Sequence, residues 1–346
     1  MTHTKSREIR LKNRPAGLPR ETDFELAEVE LAETGEGEIL VQNIYMSVDP
    51  YMRGRMNDRK SYLPPFQLGK PMDGGCVGRV IASKNDLFQV GDYVSGWLGW
   101  REYYVSDGQG VLKIDPAMAP ARSYLGTLGM PGLTAYAGLL EIGKPKEGET
   151  VFVSAAAGAV GSVVCQIAKL KGCRVVGSAG SDEKVAWLLN EAGVDAAFNY
   201  KTAGDVIAAV GEHCPKGIDV YFENVGGVHL EAALEHMNTH GRIVMCGMIS
   251  MYNATEPVPG PTNLSYIIAK QLIVQGFMVA AHFDKLQQFY SDMAKWIAEG
   301  RIKWKETVVD GIENAPEAFT GLFKGENFGK MIVKIGPDAA DQTSTF

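Results

Sequence analysis

The sequence predicts a two-domain chain, one domain a doubly wound parallel α/β sheet and the other rich in β-strand. Three observations carry this. In ETVFVSAAAGAVGS at 149–162, a short apolar run ends in small residues and opens a helix holding Gly158 and Gly161. Strand-like runs recur at about 151–154, 174–177, 195–198, 218–222, 241–246 and 272–276, with helical stretches between most of them. Before Met130 the pattern differs, with short strands set between turns.

The first domain is expected over 1–126. Strands are expected at 38–45 and 78–82, and a turn precedes another strand within 90–96. Between the first two lies an irregular stretch, 49–75, rich in Pro, Gly, Met and Tyr. A long loop in a compact domain more often serves function than not. Tyr51 and Tyr62 are therefore candidates for lining a substrate pocket, with Pro64, Pro65, Phe66 and Met130 as apolar walls for a flat substrate. Arg53 and Arg55 suit either cofactor phosphates or the protein surface.

A helix over 133–140 opens the second domain, expected over 127–299. The residues at 156, 158 and 161 have the spacing of the G-x-G-x-x-G fingerprint, with Ala156 replacing the first glycine. Small residues there let the backbone approach a pyrophosphate seated on the helix N-terminus. Val160, Val163, Val164, Ile167 and Ala168 form a helical stripe, and Lys169, Lys171 and Gly172 end it before the next strand. This is a Rossmann-type βαβ unit. The chain then returns to the first domain over 300–338, with a strand near 303–309 and a helix at 315–323, and a disordered tail is expected over 339–346.

The second strand of such a unit ends, in NAD-selecting proteins, on an acid that holds the ribose hydroxyls. Here Ser178 stands at that place, which removes the repulsion a 2′-phosphate would meet. Lys184 begins the following helix and can pair with that phosphate, and Tyr200 can add a hydroxyl. NADPH is the expected cofactor.

With 346 residues, 45% hydrophobic and 22% charged, the chain reads as an ordinary globular protein. A net charge of −7 argues against a nucleic-acid partner. No apolar run is long enough for a membrane span, and the polar start lacks a signal-peptide core, so a cytoplasmic protein is expected. The five cysteines (76, 165, 173, 214 and 246) are scattered, with no C-x-x-C pair to suggest disulfides or zinc.

The order of these features, with LGMPGLTAY at 128–136, resembles the medium-chain dehydrogenase/reductase superfamily. DPYMRGR at 49–55, YFENVGG at 221–227 and ISMYN at 249–253 are similar to its zinc-independent branch of prostaglandin reductases, leukotriene B4 dehydrogenases, plant alkenal double-bond reductases and bacterial curcumin reductases. The resemblance spans nearly the whole chain. It implies a GroES-like first domain, a homodimer, and NADPH-dependent saturation of the double bond in α,β-unsaturated ketones and aldehydes, curcumin-like enones included. It further implies that Gly158, Ala159, Val160, Gly161, Lys184, Tyr200 and Asn224 contact the cofactor. The same role extends to Cys246, Gly247, Met248, Ile249, Ser250, Phe277, Met278, Val279 and Asn327.

No metal site is expected. The stretch GKPMDG at 69–74 stands where zinc alcohol dehydrogenases carry Gly-His-Glu, and a four-cysteine lobe is absent. Charge developing on an enone oxygen must then meet hydrogen-bond donors. A tyrosine suits this because it stays protonated at neutral pH. Tyr252 is the candidate, following a strand at the carboxyl edge of the parallel sheet, where ligands bind; the resemblance points to it too. Two rivals remain: a quinone reductase or zinc-free hydroxy-group dehydrogenase, and an NADPH-binding protein without turnover.

Overall fold

The computed structural model describes residues 4–338, so the expectation for 339–346 lies outside the described residues. The chain divides into two compact units. Among the described residues one holds 4–125, 306–327 and 331–338; the other holds 126–305 and 328–330.

In the first unit β1 (Lys5–Leu11) pairs antiparallel with β2 (Phe24–Glu30). The sheet that follows is organised on β3 (Ile39–Ser47), buried along almost its whole length because it has a neighbour on each side. One neighbour is β4 (Cys76–Ser83), itself followed by β5 (Tyr93–Gly96). Two register shifts bend the β3–β4 ladder, and Gly78 is needed there: a Cβ would lie 2.5 Å from the Gln42 carbonyl. On the other side β6 (Tyr103–Ser106) pairs with 39–42, while β7 (Leu112–Lys113) extends β5. The loop at 49–75 contains one short helix, α1 (Met52–Arg55).

The second unit opens with α2 (Met130–Ala137), which runs into a π-helical turn over Gly138–Gly143. Alternating elements follow. They are β8 (Thr150–Val153), α3 (Gly161–Leu170), β9 (Arg174–Ala179), α4 (Asp182–Asn190), β10 (Ala196–Asn199) and α5 (Val206–His213). Next come β11 (Ile218–Glu223), α6 (Val228–His236), β12 (Met237–Met245), α7 (Ser265–Ala269), β13 (Ile273–Gly276) and α8 (Leu286–Ala298). The strands form one parallel sheet ordered β10-β9-β8-β11-β12-β13. The chain switches direction of travel between β8 and β11, and the carboxyl ends beside such a switch are where α/β sheets hold ligands. Phe152 stacks on Tyr221 at 5.1 Å and on Phe198 at 6.3 Å, anchoring the middle strands from one face.

The return adds β14 (Glu306–Asp310), α9 (Ala315–Lys324) and β15 (Lys330–Lys334), giving a seven-stranded sheet ordered β14-β15-β3-β4-β5-β7 with β6 on β3. It begins at Glu306, not at residue 300. Residues 300–305 stay with the second unit because Lys303 exchanges both backbone groups with the Gln166 amide, at 2.7 and 2.8 Å. The strand expected at 303–309 accordingly starts three residues later.

Candidate active site

The turn after β8 is built around the Ala155 carbonyl. Ala155 itself takes a left-handed φ of 47°, and Gly158 N–H donates to that carbonyl at 2.9 Å. A Cβ at Gly161 would come 2.4 Å from the same oxygen, so only glycine lets α3 start there. Ala156 has a different solution. A Cβ at Gly177 would meet the Ala156 methyl at 2.8 Å, so the small residue missing at 156 is supplied by the neighbouring strand. No side chain caps α3, and Gly158, Ala159 and Val160 keep part of their surface open. That is the amide-lined helix start a pyrophosphate fits. A feature the sequence did not reveal closes this turn: Gly329 N–H donates to the Ala157 carbonyl at 2.9 Å, and Gly329 pairs with Gly158. Its only signal was a glycine, with φ 65°, in NFGK at 327–330.

At the ends of β9 and β10 the structure corrects one assignment. β9 runs on to Ala179, so Ser178 sits inside the sheet, fully buried, its hydroxyl without a partner among the described residues. It does not present a group to a nucleotide. The first residue past the strand is Gly180, and it carries no carboxylate. A Cβ there would lie 3.2 Å from the Tyr200 hydroxyl and 3.3 Å from Lys201 Cε, so Gly180 keeps a small space between them. Burial, and then the positive charge of Lys201, hold the Lys184 ammonium below its ordinary pKa. Two cations that repel each other make a site whose repulsion an anion relieves. Tyr200 is half-buried, with its ring edge-on to His229 at 5.1 Å. Burial pushes the His229 imidazole down to about 4, so it is neutral and adds no charge.

The third part of the site lies beyond β11 and β12. Asn224 donates its Nδ2 to the Ser154 carbonyl at 2.8 Å and its backbone N–H to Ser154 Oγ at 2.9 Å. Cys246 and Gly247 both donate to the Glu223 carbonyl at 3.0 Å. Ile249 N–H reaches the Asn224 carbonyl, and Ser250 bonds Val225 through backbone and hydroxyl. A 3-10 turn over Ile249–Met251 delivers Tyr252. Its hydroxyl oxygen accepts from the Met248 N–H at 3.2 Å, leaving its proton available to a further acceptor. Gly247 makes room, since a Cβ there would lie 3.1 Å from that hydroxyl. Burial raises the Tyr252 pKa above 10, so it stays protonated at neutral pH. Burial likewise pushes the Cys246 thiol up to about 12, which makes it inert as a nucleophile. After β13, Phe277 and Val279 are half-buried and Met278 is exposed.

The remaining candidates belong to the first unit, apart from Met130 at the first position of α2. Tyr51 is half-buried ahead of α1, its pKa raised by burial and by Asp49. Tyr62 is exposed. Phe66 is a core residue, 4% exposed, with the Arg55 guanidinium 4.0 Å above its ring, so it is no pocket wall. Arg55 also pairs with Asp73, and buried Arg53 donates to the carbonyls of Pro15 and Gly17. Both arginines thus hold the loop rather than a phosphate. Asn327 is half-buried, directly before the 328–330 segment. Among the described residues no group of three or more His, Cys, Asp or Glu is placed to hold a metal ion.

Residues 7–114 match the family model described as the N-terminal domain of oxidoreductase, and residues 159–299 match the one described as zinc-binding dehydrogenase. The chain is 49% identical over 339 residues to prostaglandin reductase 1 of Bos taurus, covering 96% of this chain and 100% of that protein. It is 46% identical over 334 residues to the NADPH-dependent curcumin reductase of Escherichia coli (strain K12), covering 95% and 96%. The crystal structure of CurA in complex with NADPH from Vibrio vulnificus superposes with a TM-score of 0.91 at 44% identity, covering 96% of this chain and 100% of that one. The chain belongs to the medium-chain dehydrogenase/reductase family, in its prostaglandin and curcumin reductase branch. Within that family the Lys184–Lys201 pair becomes a test of cofactor choice. Lys184→Ala is expected to weaken NADPH binding while leaving NADH binding little changed. Loss of one charge-assisted contact of ~1.5–3 kcal/mol corresponds to roughly 10–100-fold in Kd, read by titrating protein fluorescence with each nucleotide. Equal losses for both nucleotides would refute the role.

Proposed function

We propose that this protein reduces the carbon–carbon double bond of α,β-unsaturated ketones and aldehydes, curcumin-like enones among them, with NADPH as reductant. The observation that carries the mechanism is the Tyr252 hydroxyl, which accepts from Met248 N–H and so aims its own proton elsewhere. The residues present fit the cofactor. Gly158, Ala159 and Val160 offer open backbone at a helix start, Tyr200 offers a hydroxyl beside Gly180, and Lys184 offers a cation two residues into the following helix. Asn224, Cys246 to Ser250, Phe277 to Val279 and Asn327 complete the set of proposed cofactor residues. Bound there, NADPH supplies a hydride to the β-carbon of the substrate. The electron pair displaced from the double bond moves to the carbonyl oxygen, and Tyr252 donates its hydrogen bond to that oxygen. A proton delivered to the α-carbon, from the Tyr252 hydroxyl or from water, completes the saturated carbonyl compound. Tyr252 is suited to donate because burial keeps it protonated and because a hydroxyl that accepts one bond donates another more strongly.

This chemistry works without a metal, and we place the protein in the cytoplasm. We also assign it a homodimer. The six-stranded sheet ends at β13, whose four residues are all exposed, including Ile273 and Val274, and Ile268 nearby is 82% exposed. An apolar, uncapped edge strand is stable in solution when a second copy covers it.

Each of these claims has its measurement. Tyr252→Phe is expected to lower kcat by roughly 10²–10³-fold with far less change in NADPH binding. The product from an enone should gain two hydrogens at the double bond, and an allylic alcohol in its place would refute the reaction. Dialysis against a strong chelator should leave turnover intact, whereas stoichiometric zinc by elemental analysis would contradict it. Light scattering after gel filtration should give twice the chain mass, and Ile273→Lys with Ile268→Asp should halve it.

A further inference from the structure

Glu223 is the last residue of β11, fully buried at the end of an apolar strand. Its Oε1 accepts three hydrogen bonds: Val225 N–H at 2.6 Å, Gly226 N–H at 2.9 Å and Ser154 Oγ at 3.0 Å. Oε2 has no partner. Ser154 Oγ in turn accepts from Tyr221 Oη at 3.0 Å and Asn224 N–H at 2.9 Å, so its own proton is directed at Glu223. Burying a carboxyl costs several kcal/mol unless its bonds compensate, and here the partners are two loop amides, Ser154 and the nearby Tyr221 hydroxyl. Burial accordingly raises its pKa.

Those bonds converge on the general donor. The Glu223 backbone carbonyl takes the amides of Cys246 and Gly247, and its carboxyl oxygen takes those of Val225 and Gly226. Val225 and Asn224 then receive Ser250 and Ile249, and Gly226, at φ 77°, packs under Met248. A Cβ on Gly226 would lie 2.9 Å from Met248 Cβ. Met248 N–H is the group that holds the Tyr252 hydroxyl.

We propose that Glu223 is a positioning residue for Tyr252, its buried carboxyl oxygen fixing the 224–226 backbone on which Met248 and the tyrosine hydroxyl are set. This rests on the assignment of Tyr252 as donor. A carboxyl that merely ended a strand would lower stability when removed and scale turnover equally in any background. A positioning residue acts only while Tyr252 has a hydroxyl to place.

The test is a double-mutant cycle in enone reduction, with kcat and the NADPH Kd measured separately on folded protein. Glu223→Ala is expected to lower kcat at least about tenfold beside an intact Tyr252, and by less than about twofold in a Tyr252→Phe background. Glu223→Gln, which keeps the accepting oxygen, should recover most of the loss. NADPH affinity should move no more than a few-fold. Gly226→Ala, which pushes on Met248 and strains the amide bonded to the carboxyl while keeping Glu223 itself, should show the same dependence on Tyr252 and serves if Glu223→Ala does not fold. Equal fold-losses in both backgrounds, or no recovery with Gln, overturn the proposal while leaving Tyr252 in its role. Full turnover by Tyr252→Phe alone overturns the donor assignment and this proposal together.

Discussion

The Ala155 carbonyl is the point on which the second unit's site depends. It takes the Gly158 amide and excludes any side chain at 161, so β8 can pass into α3 within one tight turn. That closeness forces other choices at a distance in sequence. Gly177 yields space to the Ala156 methyl, and Gly329 comes in to pair with Gly158. The Ala156 amide also bonds the Ser178 carbonyl, so the turn is tied to β9 as well as to its own helix. A turn this constrained holds its amides in place before any ligand arrives, which lowers the ordering cost of binding.

The three loops at the carboxyl edge of the sheet are joined to each other mostly through backbone groups. Ser154, Asn224 and Glu223 bond across β8, β11 and β12, and few long polar side chains are spent on shape. Charge is used sparingly as well. Lys184 and Lys201 bring two positive charges near each other, and His229 beside Tyr200 is neutral. In the function we propose, such a layout separates two tasks: attraction of a phosphate at the β9–β10 end, and hydrogen bonding to a developing oxyanion at the β12 end. A cation close to Tyr252 would lower its pKa toward the ionised form, which has no proton to donate.

The first unit spends its charged groups on holding a loop. Arg53 is buried against the carbonyls of Pro15 and Gly17, and Arg55 lies between Phe66 and Asp73. A planar guanidinium suits this work because it satisfies several carbonyls at once while its face packs on an aromatic ring. Irregular backbone at 49–75 thereby gains partners that a regular element would have supplied from within.

The sequence by itself determined the parallel sheet and its glycine turn, because both depend on local patterns: apolar runs at strand length, and small residues at fixed spacing. The places of Lys184, Tyr200 and Tyr252 just past strand ends were legible for the same reason, while the roles given to them are proposals. Tertiary structure decided what depends on neighbours far along the chain. Ser178 proved buried because β9 extends past it, a boundary that local pattern leaves open by a residue or two. Phe66, Arg53 and Arg55 face inward because their partners lie elsewhere in the fold. The end of the second unit at Lys305 follows from Gln166, more than a hundred residues earlier, and Glu223 gained its place only when β8, β11 and β12 came side by side. Periodicity reports which face of an element is apolar, whereas a hydrogen bond between two loops has no period to read.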